Sequence, residues 1–325
     1  MICLIALYHR YHFWRVPQKY KEILSAQFPS INFIFVSNNQ ELDQKLYLAD
    51  VLFCWEINEN QLDKASKLSW IQLASSGLDK RIPPNFFSQY QHELTVMKGV
   101  AASAVAEFVL GIILGVNRRI FEAIIDSTAG IWNRESYVDN DSNIKSLNET
   151  CVGILGYGAI GSKLSCLLNS LGVRVIVCSK SKPVNDDYFS AYFSASEIDT
   201  FLVDLDFLVL TLPLNADSSD LLNENKFKLI SKNTFIINIA RESIINRESL
   251  INAINEKKIK GVLIDVLDIE PPVPESRYPV SPKIFITPHI AALSNNYWKD
   301  SMEIFMANLN AHLNKEPKIN RVYHF

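Results

Sequence analysis

Residues 151–161 read Cys-Val-Gly-Ile-Leu-Gly-Tyr-Gly-Ala-Ile-Gly, and the spacing of Gly156, Gly158 and Gly161 decides the fold. The apolar run before Gly156 predicts a buried strand. The run that follows, AIGSKLSCLLNSLG, carries its apolar residues at helical spacing. In a strand–turn–helix of this kind the first glycine permits a tight turn. The second lets a pyrophosphate approach the backbone, and the third lets helix and strand pack closely. The start of the helix offers unpaired N–H groups and a partial positive charge. Gly156, Tyr157, Gly158, Ala159, Ile160 and Gly161 are therefore the expected pyrophosphate loop of a dinucleotide-binding sheet.

The pattern continues on both sides of this loop. Downstream, VRVIV, FLVLTL, FIINIA, VLIDV and IFIT read as strands, with helical stretches such as ESLINAINEKK between them. Upstream, ICLIALY, INFIFVS, VLFCW, WIQLA and LTVMK alternate with amphipathic segments such as VPQKYKEILSAQF. Such alternation argues for parallel sheets flanked by helices. Residues 105–120, VAEFVLGIILGVNRRI, read as one long helix, apolar nearly all round. Residues 129–150 are polar and irregular. A last amphipathic helix, near residues 295–314, has no strand after it and is expected to pack back on the first domain. The expected fold class is α/β. A Rossmann-type doubly wound parallel sheet domain, residues 99–291, is inserted into a smaller flavodoxin-like α/β substrate domain, residues 1–98 and 292–325.

The bulk numbers exclude several classes. A formal net charge of −3 gives no electrostatic case for nucleic acid. Five cysteines without paired spacing read as small core residues in a reducing cytoplasm, not as disulfides or a zinc site. The opening MICLIALY is too short to span a membrane and lacks the features of a signal peptide. SYVDNDSN, residues 136–143, lacks the central glycine and terminal glutamate of a calcium loop, so no metal is expected.

VCSKSK, residues 177–182, ends the strand after the glycine loop. An acidic residue at this distance would bond the ribose 2′-hydroxyl of NAD. Here stand Ser179, Lys180 and Ser181, followed by Lys182. Hydroxyls and an ammonium suit a 2′-phosphate instead. NADP(H) is thus the favoured cofactor, with NAD(H) as the alternative.

Arg241, Glu270 and His289 each follow one of the later strands. In an open α/β sheet, ligands bind beyond the carboxyl ends of the strands. Reduction of a 2-oxo acid needs a cation for the carboxylate, and the fork of Arg241 can supply it. It needs an acid for the carbonyl oxygen, which His289 can be. It also needs a partner that orients the imidazolium and keeps its proton in place, and Glu270 can be that partner.

In order, SSGLD, VAEFVLGIIL, GIW, GILGYGAIG, TLPLNADSSDLLN, NIARESIINRESLI, GVLIDVLDIEPP and TPHIAA make the chain resemble the D-isomer-specific 2-hydroxyacid dehydrogenase family, across essentially its whole length. Within that family it is most similar to the NADPH-preferring glyoxylate/hydroxypyruvate reductases, whose strand-end segment similarly reads serine–basic–serine. The resemblance implies that Arg241 binds the substrate carboxylate and carbonyl, and that Glu270 and His289 form the proton-donating pair. It implies that the backbone of Ser76 and Gly77 holds the other side of the carboxylate. Leu212 and Pro213 would pack near the adenine, and Ser218 would stand where a threonine often contacts the cofactor phosphates. Val105, Ile239 and Ala240 would border the nicotinamide, and Asp265 would bond its carboxamide. The helix from Val105 and the GIW segment would belong to a homodimer interface.

Three positions depart from the family pattern. Asn148, in the turn NET before the glycine-loop strand, stands where a glycine is frequent, and asparagine tolerates the left-handed region. Ala159 stands where many members place an arginine near the pyrophosphate. Glu242 stands where the residue after the catalytic arginine is usually glycine. At a position requiring φ > 0 a glutamate would be strained, and a carboxylate beside Arg241 would compete for its charge. The expected function is reduction of a small 2-oxo acid to a D-2-hydroxy acid. The rivals are a dehydrogenase of the same family for another acid, such as phosphoglycerate or formate, and a dinucleotide-sensing protein without useful catalysis. His9, His12, Tyr8 and Tyr11 would line the substrate cleft or form a polar aromatic turn, and Trp298 is expected to be buried.

Overall fold

The computed structural model describes residues 1–138, 144–184 and 187–323. Among the described residues there are twelve strands: β1 Ile2–Ala6, β2 Asn32–Phe35, β3 Val51–Cys54, β4 Trp70–Leu73, β5 Glu93–Thr95, β6 Cys151–Leu155, β7 Arg174–Ser179, β8 Ala191–Ser194, β9 Phe207–Leu210, β10 Phe235–Asn238, β11 Gly261–Ile264 and β12 Ile284–Ile286. Contacts divide the chain into Met1–Val100 with Ser294–Phe325, and the inserted Ala101–Leu293.

In the first unit the sheet order is β2-β1-β3-β4-β5, all parallel. This is the flavodoxin-like order. Both faces are covered, so the inner strands β1 and β3 are apolar throughout rather than alternating. Leu4, Leu52 and Ile71 pack on one face, and Cys3, Ile5, Phe53 and Trp70 on the other. The second face is closed by the C-terminal helix Tyr297–Asn314, through Met302, Phe305 and Leu309. Phe305 stacks on Phe53 at 4.4 Å and lies 5.8 Å from Trp70. Trp298 is buried, and its indole N–H donates to the Phe13 carbonyl at 2.7 Å.

The second unit is a seven-stranded sheet of order β12-β11-β10-β9-β6-β7-β8. All of its pairings are parallel. Counted from β6, this is the Rossmann order with a seventh strand added, and it reverses direction between β6 and β9. Period-two burial splits the inner strands between two cores. Leu155, Leu208, Ile236 and Val262 face one side. Ile154, Val209, Ile237 and Leu263 face the other, beneath the helices Ala102–Asn117 and Ala159–Ser170.

Three details differ from the sequence reading. The helix expected over residues 105–120 ends at Asn117, and a second helix starts at Ile120. Arg119 between them is left-handed, with φ 55°. The reversal lays the Phe121 ring on Gly115, where a Cβ would stand 2.7 Å from it. Strand β8 was missed because its four residues are only half-buried at a sheet edge. Within the polar stretch 129–150, Glu135–Val138 is a short helix. Of SYVDNDSN, residues 139–143 lie outside the described residues. Among the described residues no group of three or more His, Cys, Asp or Glu side chains could hold a metal. Also among the described residues, no helix is long and apolar enough to cross a membrane.

The stack on Phe305 makes a direct stability test. Phe305→Ala should cost about 3–5 kcal/mol, the usual range for a fully buried phenylalanine, in denaturant unfolding. A loss below about 1 kcal/mol would mean that the helix does not close this core.

Candidate active site

Strand β6 ends at Leu155, and the chain must turn at once to start the helix Ala159–Ser170. Gly156 does this at φ 96°, where an added Cβ would stand 2.6 Å from the Leu212 nitrogen. No L-residue with a side chain fits both demands. Gly161 brings the helix against the turn, its Cβ position lying 2.6 Å from the Gly156 carbonyl oxygen. Gly158 is the helix N-cap and has no side chain to bond the first N–H groups. A Cβ built on it meets nothing within 4 Å. Open space before uncapped helical N–H groups is what a pyrophosphate needs. The residues present therefore fit a dinucleotide.

Around this loop, Tyr157 meets Phe189 edge to face at 5.5 Å. Ile160 packs with the core that also contains Val105, Ile239 and Ala291. Thr211 donates to the Gly156 carbonyl at 2.6 Å. Ser218 is buried. Its hydroxyl donates to the Pro213 carbonyl at 2.8 Å and accepts from the Asn215 N–H at 2.8 Å. The one proton of Ser218 is thus used inside its own loop.

At the end of β7, Ser179 donates to the Ser181 carbonyl at 2.9 Å, and Tyr192 donates to the Ser179 carbonyl at 3.0 Å. Lys180, Ser181 and Lys182 are exposed. Sequence reasoning missed a carboxylate near this tip. Ser179 pairs with Ser194 across the sheet, and Glu197 accepts from the Ser194 N–H at 2.9 Å and hydroxyl at 2.6 Å. Those bonds hold the Glu197 carboxyl below its usual range. Burial, helped by this charge, pushes the Cys178 thiol up to about 11.

Arg241, Glu270 and His289 follow the adjacent strands β10, β11 and β12. The His289 Nδ1 lies 2.8 and 3.0 Å from the two Glu270 carboxylate oxygens. An ionised carboxylate only accepts, so Nδ1 carries the hydrogen and Nε2 is left for a ligand. Burial works against the Glu270 charge. The hydrogen bonds from His289 and the Leu267 N–H, with the charges of His289 and Arg241, outweigh it and hold the carboxyl below its ordinary range. Arg241 is extended at φ −146°, and its Nη1 donates to the Ala240 carbonyl at 2.7 Å.

His289 itself is left-handed, at φ 54°. The fold holds it there through Asp265, which is 2 % exposed. One Asp265 oxygen accepts from the Thr287 hydroxyl at 2.6 Å and the Ile290 N–H at 3.0 Å. The other accepts from the Ala291 N–H at 3.0 Å. Asp265 thus grips the histidine turn, a role sequence reasoning did not find, since the partners lie 22 to 26 positions away. A carboxylate has about four acceptor positions, so one remains beside these three.

In the first unit, Ser76 and Gly77 follow β4. Ser76 donates to the Met97 carbonyl at 2.7 Å, and Ser75 to the Gly77 carbonyl at 2.8 Å. His9 lies in the expected aromatic turn, 5.5 Å from Tyr11 and 6.2 Å from Trp55 between ring centres.

Residues 110–291 match the family model for the D-isomer specific 2-hydroxyacid dehydrogenase NAD binding domain. The chain belongs to that family. Its members are NAD(P)-dependent oxidoreductases, and this dehydrogenase is similar to several named enzymes. A glyoxylate reductase of Thermofilum pendens is 28 % identical over 284 residues, 86 % of this chain and 83 % of that one. The chloroplastic D-3-phosphoglycerate dehydrogenase 3 of Arabidopsis thaliana is 30 % identical over 192 residues, 58 % of this chain and 31 % of that one. The crystal structure of an NADPH-dependent glyoxylate/hydroxypyruvate reductase from Sinorhizobium meliloti, in complex with NADP and sulfate, has a TM-score of 0.81 at 22 % identity. It covers 99 % of this chain and 98 % of that one. At that identity the likeness shows the shared fold.

The Glu270 carboxyl lies below its ordinary value of 4.5, so it stabilises the fold above that value and ceases to as pH falls through the depressed folded value. Melting temperatures of the dehydrogenase and its Glu270→Gln variant should therefore differ near neutrality, with the wild type higher, and converge in acid. A gap that widens on acidification would contradict the His289–Glu270 pairing.

Proposed function

We propose that this dehydrogenase is an NADP(H)-preferring reductase that converts glyoxylate or hydroxypyruvate, or a 2-oxo acid of similar size, to the D-2-hydroxy acid. The observation that carries the reading is the 2.8 Å bond between His289 Nδ1 and Glu270 on strand ends adjacent to Arg241. NADPH, held at the loop of residues 156–161, would supply the hydride for the keto carbon. Arg241 holds the substrate carboxylate with two parallel N–H bonds and draws charge toward the carbonyl oxygen. His289 gives that oxygen the proton on Nε2, completing the hydroxyl. Glu270 stays ionised, fixes the ring through Nδ1 and stabilises the imidazolium until it yields its proton.

The roles of Ser76 and Gly77 toward the carboxylate, and of Val105, Leu212, Pro213, Ile239, Ala240 and Asp265 toward the cofactor, rest on the family resemblance and belong to the same proposal. So does the 2′-phosphate role of Ser179, Lys180 and Ser181. Support for NADP(H) comes from the exposed Lys180 and Lys182 and from the NADP in the Sinorhizobium meliloti structure. The Glu197 carboxylate near that tip, bonded to Ser194, is the feature that favours NAD(H). A homodimer in a reducing cytoplasm completes the proposal. It is supported by the exposed apolar side chains Ile120, Ile124, Ile125, Ile131 and Trp132 and by five free cysteines.

The test is His289→Ala. Turnover of hydroxypyruvate with NADPH should fall about 10²–10⁴-fold, the usual contribution of a general acid. NADPH affinity, read by the quenching of protein fluorescence, should stay within about twofold. Undiminished turnover would remove His289 from the reaction.

A further inference from the structure

Glutamate at position 242 is unexpected beside a catalytic arginine, and the structure shows where its charge goes. Glu242 opens the 3-10 turn Glu242–Ile244 that follows Arg241. It is only 9 % exposed. It is not among the left-handed residues, so the strain anticipated from the sequence is absent. Its carboxylate is also turned to other partners than Arg241. One oxygen accepts from the Asp268 N–H at 2.7 Å. The other lies 3.5 Å from Nη1 of Arg247. Arg247 is itself fixed, donating to the Ser276 carbonyl at 2.8 Å and lying over the Tyr278 ring at 4.3 Å.

The next residue acts on the same partner, for the Ser243 hydroxyl donates to the Asp268 carboxylate. Two successive residues after Arg241 therefore hold Asp268 by its N–H and by its side chain. Asp268 lies two residues before Glu270, whose own carboxylate accepts from the Leu267 N–H at 2.9 Å. The loop bearing Glu270 is thus held at both Leu267 and Asp268. Its position relative to Arg241 matters because the regular pairing of β10 with β11 has ended by then. The register stops at Asn238 with Ile264, and the last backbone bond runs from the Asp265 N–H to the Asn238 carbonyl at 3.0 Å. Beyond it, the Glu242 side chain does what the ladder no longer does.

We infer that Glu242 is a positioning residue, whose buried carboxylate ties the turn carrying Arg241 to the loop carrying Glu270. The inference rests on the reductase reading for its catalytic consequence, though the tie itself does not. A glycine at this position has no atom with which to make it. Pairing with Arg247 and Asp268 compensates the burial of the charge, which would otherwise be costly.

Glu242→Gln keeps an acceptor for the Asp268 N–H, whereas Glu242→Met fills the volume without one. Both would be made in the full-length protein and assayed with NADPH and hydroxypyruvate. The Gln variant should keep kcat within about threefold, and the Met variant should lose about tenfold or more, because small misplacements of catalytic groups are costly. NADPH affinity should stay within about twofold in both. By hydrogen exchange, the Asp268 amide should be protected in the NADPH-bound wild type and Gln variant and exposed in the Met variant. Equal kcat in all three, or equal loss in Gln and Met, would overturn the inference. If the Met variant does not fold, a rapidly exchanging Asp268 amide in the wild type overturns the tie, and a protected one in both wild type and Gln variant supports it. If the wild type reduces no 2-oxo acid, the reductase reading fails, and the exchange comparison still decides whether the tie exists.

Discussion

Every strand of the seven-stranded sheet runs the same way, so all seven carboxyl ends leave along one edge. The remaining features of the site depend on that constraint. Between β6 and β9 the order reverses, and the chains leaving these two strands diverge to open a crevice. Gly156 turns there, against the Leu212 backbone, where no side chain fits. On the other side of the reversal, β10, β11 and β12 are neighbours, spaced roughly 4.8 Å apart as strands in a sheet are. Each delivers one of the three candidate reactive residues past its end. Arg241, Glu270 and His289 are therefore set side by side by strand order, before any specific contact acts.

Strand order alone is too coarse for catalysis, and three carboxylates, two of them buried, supply the finer placement. Asp265 takes three donors from the turn around His289 and holds that residue left-handed. Glu242 reaches from the arginine turn to the Asp268 N–H. Glu270 takes Nδ1 of His289 and the Leu267 N–H. Each of these side chains extends the hydrogen bonding of the sheet into loops where backbone pairing has stopped.

What the sequence made legible follows from the same physics. Strands buried on both faces are continuous apolar runs, and eleven of the twelve strands were read from such runs. Strand β8, half-buried at an edge, has no such run. The glycine spacing and the three charges after strands were readable because their geometry is local to one strand end. The break at Arg119 was not, because it depends on Phe121 folding back onto Gly115. Nor were the Asp268 N–H that Glu242 binds and the partners of Asp265, which lie more than twenty positions away. From sequence, Glu242 shows only its neighbour Arg241 and so reads as a competitor for its charge. In the fold it turns to a different loop.

The central claim is that this site reduces a small 2-oxo acid with NADPH. The most direct measurement is the oxidation rate of NADPH and of NADH, each at saturation, with hydroxypyruvate and with glyoxylate. The account predicts rapid NADPH oxidation with at least one of the two acids and slower oxidation of NADH. Faster oxidation of NADH would contradict the phosphate role of Ser179, Lys180 and Ser181. No oxidation of either cofactor with either acid would contradict the substrate assignment itself.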